Sequence, residues 1–216
     1  MTALRPVRID FANVPPGQER RPAIFLDRDG VINRRIVGGY VTRWAEFQFL
    51  EGMIVALREL SRLKLPMIVV SNQAGAGKGL MRRSDLAVIT ARFVGALARR
   101  RARIDAVYYC PHASEQACSC RKPHPGLLLA AARDWKIDLR RSVLVGDSLR
   151  DIEAAHAAGC RAILFDPGED FSASGAAGPD GSGRPTVSVP VAAAVWRPAD
   201  LYDQVRTILG RPGHPL

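Results

Sequence analysis

The stretch Ala23-Ile24-Phe25-Leu26-Asp27-Arg28-Asp29-Gly30-Val31-Ile32 runs a short apolar segment straight into two carboxylates spaced i and i+2. An uninterrupted apolar run of this length, closed by turn residues, reads as a strand buried on both faces, and therefore as part of a parallel sheet. Similar runs at 67–70, 106–109, 143–145 and 162–165 alternate with helical patterns. That alternation predicts an α/β fold of Rossmann-like form, a central parallel sheet flanked by helices. Ile54, Leu57, Leu60 and Leu63 recur at near-helical spacing after the first strand. Ser84 reads as the N-cap of a helix carrying Leu86, Ile89, Phe93 and Leu97 on one face. Further helices are expected at 125–135 and 149–158, the latter closed by Gly159.

Outside this core the chain changes character. Residues 1–22 are polar, with Pro6, Pro15 and Pro16, and read as an N-terminal arm to a single domain over 23–216. Residues 168–185 are rich in Gly, Ser, Ala and Pro and read as a mobile loop. A short apolar segment near Val187 and a last helix at 199–209 complete the expectation.

At 216 residues the chain suits one globular domain, and 47% hydrophobic with 24% charged residues excludes a wholly disordered one. No apolar run approaches the roughly 20 residues of a membrane helix. The N-terminus lacks the apolar stretch of a secretory signal, so a cytoplasmic monomer is the default expectation. The net charge of +10 is mostly arginine scattered along the chain, so it calls for no nucleic-acid partner. The densest run, Arg99-Arg100-Arg101 with Arg103, ends an expected helix, where cations complement the helix dipole.

Ligands of open α/β sheets bind beyond the carboxyl ends of the strands, and the polar clusters fall at that edge. The first strand ends in Asp27-Arg28-Asp29-Gly30, the second in Ser71-Asn72-Gln73, the fourth in Gly146-Asp147-Ser148 with Asp151 beyond. Arg121-Lys122-Pro123 precedes the helix at 125–135. These parts suit phosphoryl transfer. One carboxylate of the Asp27/Asp29 pair can attack phosphorus while the other donates a proton to the leaving oxygen. Mg²⁺ favours a few carboxylate and carbonyl oxygens, here Asp27, Asp147 and the Asp29 carbonyl. Ser71 and Lys122 would hold phosphoryl oxygens as charge builds on them.

Three of the four cysteines crowd one loop: Cys110-Pro111-His112, then Cys118-Ser119-Cys120. Three thiols and an imidazole make a complete tetrahedral zinc shell with no open position, which predicts a structural ion. Cys160 reads as a small buried hydrophobe. The zinc loop runs directly into Arg121-Lys122 and would fix that lysine.

Asp27–Val31, Ser71, Lys122 and Gly146–Asp151 together resemble the four motifs of the haloacid dehalogenase superfamily. The resemblance implies that Asp27 is the nucleophile, Asp29 the acid/base, Ser71 and Lys122 the phosphate binders, Asp147 a metal ligand, and Asp151 a carboxylate that orients its neighbours. With Cys110-Pro111-His112 and Cys118-Ser119-Cys120-Arg121-Lys122-Pro123-His124-Pro125-Gly126 added, the chain resembles the cap-less, zinc-containing D-glycero-D-manno-heptose 1,7-bisphosphate phosphatase branch, close to histidinol-phosphate phosphatases. No insert large enough for a cap domain separates Asp27 from Ser71, or Ser71 from Lys122. The resemblance implies that Asn72, Gln73 and Arg121 contact the substrate, a sugar bisphosphate cleaved at C7. Where the family has Ile and Arg after Asn-Gln, this chain has 74–79 with Lys78, which keeps the charge without the bidentate fork. Arg82 and Arg83 are expected near that rim.

Three rivals fare worse. A P-loop kinase fails because Gly79, not Ser or Thr, follows Lys78. A nucleic-acid 3′-phosphatase would need aromatic stacking surfaces, and aromatics are 6% of the chain. A zinc-binding interaction module would make every strand-end carboxylate coincidental.

Overall fold

A computed structural model of the chain describes residues 5–14, 19–165 and 197–210. Strands β1 (Val7–Asp10), β2 (Ile24–Leu26), β3 (Met67–Asn72), β4 (Ala106–Cys110), β5 (Val143–Gly146) and β6 (Arg161–Leu164) form one sheet in the order β1-β4-β3-β2-β5-β6. β2 to β6 pair in parallel, and β1 adds to the β4 edge antiparallel, with Val7 opposite Tyr109 and Asp10 opposite Ala106. The strand-edge pairing corrects the expected loose arm over 1–22. Val7 and Ile9 alternate with Arg8 and Asp10, so one side of this segment packs on the core while the other stays polar.

Both faces of the sheet are covered, which is why its inner strands are continuously apolar. Ile24, Leu26, Met67, Val69, Val107, Tyr109, Val143 and Val145 point into one hydrophobic cluster. The alternate residues Ala23, Phe25, Ile68, Val70, Ala106, Tyr108 and Leu144 point into another. Helices α1 (Met53–Ser61), α3 (Arg83–Ala98) and α6 (Leu201–Gly210) contribute to the first cluster. Helices α4 (Gly126–Trp135) and α5 (Leu149–Ala157) contribute to the second, and α2 (Ala74–Gly77) is a single turn after β3.

In α1 the buried positions Met53, Ala56, Leu57 and Leu60 follow the i, i+3, i+4, i+7 spacing of an amphipathic helix. Leu63, expected in that periodicity, falls beyond the helix end. The start of α3 also differs from expectation: Arg82 is the N-cap and Ser84 lies inside the first turn. The Asp85 carboxylate accepts the Arg82 backbone N–H at 2.9 Å, which a serine two residues on cannot match. Gly159 takes φ +70 just after α5, as its position predicted.

The long connection from β2 to α1 packs Val31, Ile32, Val41, Phe47 and Leu50 into the first cluster, with Phe47 stacked on Phe93 at 5.3 Å. It is a packed loop, not a cap domain. The loop at 168–185 and the segment near Val187 lie outside the described residues. No helix among those described is long and apolar enough to cross a membrane.

Candidate active site and thiol cluster

Strand order reverses at β2, whose neighbours are β3 on one side and β5 on the other. A crevice opens beyond the carboxyl ends of strands at such a switch point. Asp27 lies in it as the first residue after β2, and its backbone N–H still donates to Val145 O at 2.9 Å. The chain then turns sharply: the N–H groups of Ile32 and Asn33 return to Arg28 O, and Gly30 N–H donates to Asn33 O at 2.7 Å. Gly30 has φ +91, and a Cβ there would stand 1.7 Å from Asp147 Oδ2. Only glycine allows both the backbone conformation and this approach.

Three carboxylates converge. Oxygens of Asp27, Asp147 and Asp151 all lie within 4.8 Å of one another, and all three residues are buried. Lys122, 3% exposed, ties two of them together, with Nζ 3.0 Å from Asp27 Oδ1, in contact with Asp151 Oδ1, and donating to Val70 O at 2.9 Å. Burial opposes its charge, but Asp151 and Asp27 outweigh that and hold its pKa above the ordinary lysine range. Asp27 is raised by burial, against the pull of Lys122. Asp147 is pushed up to about 8, by burial first and the Asp27 charge second. Its Oδ1 is buried without a partner, and its Oδ2 pairs with Arg35. An unpartnered carboxylate oxygen facing two further carboxylates is a donor set suited to a hard divalent cation.

The other expected residues divide. Ser71 is buried at the end of β3, as predicted. Asp151 takes its place in the first turn of α5, where Oδ2 accepts from Ser148 N at 3.1 Å and from Ser148 Oγ at 2.5 Å. Gly146 lets it in, since a Cβ there would fall 2.2 Å from Asp151 Cβ. Asp29 stands beside the three carboxylates, clasped by Arg28 Nε and Nη2, by Asn33 Nδ2 at 2.8 Å and by Gln73 Nε2 at 2.6 Å.

Two expected substrate contacts bond within the fold. Gln73 is wholly buried, accepting from Arg28 and donating to Asp29 and Ser71, so it helps to hold the Asp29 carboxylate in place. Asn72 spends its amide on the Lys122 backbone, accepting from N and donating to O, each at 3.0 Å. Gln73 is thereby turned away from solvent, whereas Asn72 is half-buried and keeps an N–H that these two bonds do not use. Lys78 is exposed, with Nζ 5.6 Å from the Tyr40 ring centroid. Arg121 reaches back to His112 O at 3.4 Å. Arg82 points outward and pairs with Asp85.

Arg28, Asn33 and Arg35 escaped the sequence reading. Asn33 sits four residues after Asp29, a spacing that a turn can close. Arg28 is fully buried, with Cζ 5.8 Å from the Tyr109 ring centroid, and nothing in a lone arginine after an aspartate announces that.

Across Arg121-Lys122 lies the second cluster. Cys110 ends β4, and the Cys110, His112, Cys118 and Cys120 side chains are all buried. Cys110 Sγ lies 3.5 Å from His112 Nδ1 and 3.4 Å from Cys118 Sγ, and Cys120 Sγ lies 3.2 Å from His112 Nδ1 and 3.5 Å from Cys118 Sγ. The edges of a tetrahedral zinc site with these ligands are about 3.5–3.8 Å, so the four side chains stand at or slightly inside that spacing. All four cysteines are free thiols, and hydrogen bonding, chiefly from Cys120, draws the Cys110 thiol down to about 5. A soft, closed, preformed donor set of this kind fits zinc. Cys160 is buried apart from it, among apolar residues.

Comparison with known proteins agrees with this geometry. A family model described as HAD-hydrolase-like matches residues 119–189. The chain is 43% identical over 144 residues to the D-glycero-beta-D-manno-heptose-1,7-bisphosphate 7-phosphatase of Escherichia coli K12, covering 63% of this chain and 74% of that one. It is 46% identical over 141 residues to the D-glycero-alpha-D-manno-heptose-1,7-bisphosphate 7-phosphatase of Mycobacterium bovis, covering 62% and 70%. A D,D-heptose 1,7-bisphosphate phosphatase from B. bronchiseptica, solved with magnesium and phosphate, superposes with a TM-score of 0.73 at 32% identity, covering 86% of this chain and 98% of that one.

Proposed function

We propose, from the premise that this chain belongs to the heptose-1,7-bisphosphate 7-phosphatase family of haloacid dehalogenase-like hydrolases, that it removes the C7 phosphate of D-glycero-D-manno-heptose 1,7-bisphosphate through an aspartyl-phosphate. The observation that carries the reading is the meeting of Asp27, Asp147, Asp151 and Lys122 at the sheet's switch point, with Asp147 Oδ1 left unpartnered.

An Asp27 carboxylate oxygen attacks phosphorus, and the bond from phosphorus to the sugar oxygen breaks. Asp29 gives that oxygen a proton. In the second half Asp29 takes a proton from water as the water attacks the same phosphorus, and Asp27 and inorganic phosphate are regenerated. Arg28, Asn33 and Gln73 hold Asp29 in place for both transfers. Lys122 and Ser71 bind the phosphoryl oxygens, and Asp151 fixes Lys122. Asp27, Asp147 and the Asp29 carbonyl would hold Mg²⁺, which supplies positive charge against the entering phosphate. Cys110, His112, Cys118 and Cys120 would hold a structural zinc that fixes the loop bearing Arg121 and Lys122.

Substrate selection falls to the rim, where Lys78 and Arg121 favour a leaving group with a second phosphate over one with a cationic amine. The test is phosphate release with Mg²⁺ from both anomers of the heptose bisphosphate and from histidinol phosphate. A clear preference for either heptose anomer is expected. A preference for histidinol phosphate would overturn the substrate assignment and leave the chemistry standing.

A further inference from the structure

Two cations face the three buried carboxylates, and they are built differently. Lys122 is 3% exposed and fastened by Asp27, Asp151 and Val70 O. Arg35, its side chain 47% exposed, rises from the loop between β2 and α1 and pairs with Asp147 Oδ2. Its loop is open to solvent. Val37 is 73% exposed, and Gly38, at φ +69, has nothing within 4 Å of where a side chain would begin. Asp147 is thus a buried carboxylate whose counter-charge comes from a solvent-exposed side chain, while its second oxygen lacks a partner. A divalent cation shared by Asp27 and Asp147 must replace the charge that Arg35 supplies. A guanidinium freed at the mouth of a phosphate site is suited to a bidentate hold on phosphate oxygens.

We infer that Arg35 is a mobile counter-ion and binding residue of this site: it neutralises Asp147 until a divalent cation binds, then yields the carboxylate and holds the phosphorylated substrate. The inference rests on the phosphatase reading and deepens it. Its consequence is linkage. Mg²⁺ and phosphate each favour the state with Arg35 off Asp147, so each tightens the other beyond their direct attraction, and by the same factor in both directions.

The test is calorimetric titration of the zinc-containing full chain with Mg²⁺ alone, and with inorganic phosphate with and without Mg²⁺. Arg35→Ala should bind Mg²⁺ alone about three- to tenfold more tightly, because its competitor is gone. The same variant should bind phosphate in the presence of Mg²⁺ about tenfold more weakly, as expected when a charge-assisted fork is lost. The mutual tightening of the two ligands should shrink accordingly. Arg35→Lys should restore part of the phosphate affinity, since it keeps the charge without the fork. Unchanged Mg²⁺ affinity and unchanged coupling in Arg35→Ala would overturn the inference alone. Failure of the unaltered chain to bind Mg²⁺ at all would remove the phosphatase reading and the inference with it.

Discussion

The carboxylate cluster and the thiol cluster flank the same dipeptide, Arg121-Lys122, and are organised on opposite principles. The thiol cluster is closed: its four donor side chains are buried and 3.2–3.5 Å apart where they touch, enough to fill every position of a tetrahedron. The carboxylate cluster is left incomplete. One oxygen of Asp147 has no partner and the other is covered by an exposed arginine. A closed soft site can only hold its ion, whereas an open hard site can admit cation and substrate together. Lys122 is fastened on the carboxylate side, by Asp27, Asp151, Val70 O and Asn72, while Cys120, its chain neighbour but one, belongs to the thiol cluster, so the loop that bears it runs from one cluster into the other.

The strongest way to separate the two clusters is Asp27→Asn. An amide neither attacks phosphorus nor ligates Mg²⁺ well, so phosphate release should fall by on the order of 10⁴-fold or more. Zinc content, measured on freshly purified protein, should stay near one per chain. Retained turnover would break the assignment of the nucleophile. Asp29→Asn should be milder, losing about 10²–10⁴-fold while still binding phosphate, as expected for a lost acid/base.

Cys118→Ser strikes the other side. It should abolish tight zinc binding and lower the melting temperature by on the order of 10 °C, because ligand binding free energy is folding free energy in a preformed site. Activity should fall with it, since the loop that positions Lys122 is released. Full activity in a zinc-free protein would show that the thiol cluster does not position the lysine. A smaller effect of the same sort is expected from Asn72→Ala, which frees the Lys122 backbone from the β3 side. Losing those hydrogen bonds should cost about 1–1.5 kcal/mol, or about tenfold in kcat/KM, with zinc retained.

The two clusters were also unequally legible. The thiol set is local, four donor residues within 110–120, and its chemistry is carried by residue type alone. The carboxylates come from two strand ends and the first turn of α5, and their meeting was legible because buried parallel strands announce themselves as continuous apolar runs. Direction was what the sequence withheld. Asn72 and Gln73 follow Ser71 at the right edge of the sheet, yet their amides turn inward to Lys122 and Asp29. Arg35 was invisible for a related reason: its partner Asp147 lies 112 positions away, and one arginine among many carries no signal. The N-terminal arm was misread because a four-residue edge strand bears only a brief alternation, Val7 and Ile9 inward.

The finest test of the comparison is pH. Burial and the Asp27 charge raise the Asp147 carboxyl to about 8 in the folded chain, whereas an unfolded aspartate titrates near about 3.9. The metal-free folded chain therefore binds this proton more tightly than the unfolded chain does. The stability that goes with the proton is full below about pH 3.9 and is lost as pH rises toward 8. Asp27, also raised by burial, acts in the same sense. Lys122 is raised too, but its stabilisation is lost only above the ordinary lysine range near pH 10.4, outside this window. A divalent cation at Asp147 must displace that proton as well as Arg35, so Mg²⁺ should stabilise most where the proton has gone and only the guanidinium has to yield. The rise in melting temperature on adding saturating Mg²⁺ should be larger at pH 8 than at pH 6 by about 2–4 °C, the shift expected for 1 kcal/mol in a domain of this size. Asp147→Asn should make the Mg²⁺ response small and flat with pH. Zinc at the thiol cluster should remain bound in every one of these scans, because its ligands share no proton with Asp147. An equal Mg²⁺ response at both pH values in the unaltered chain would place the cation away from Asp147.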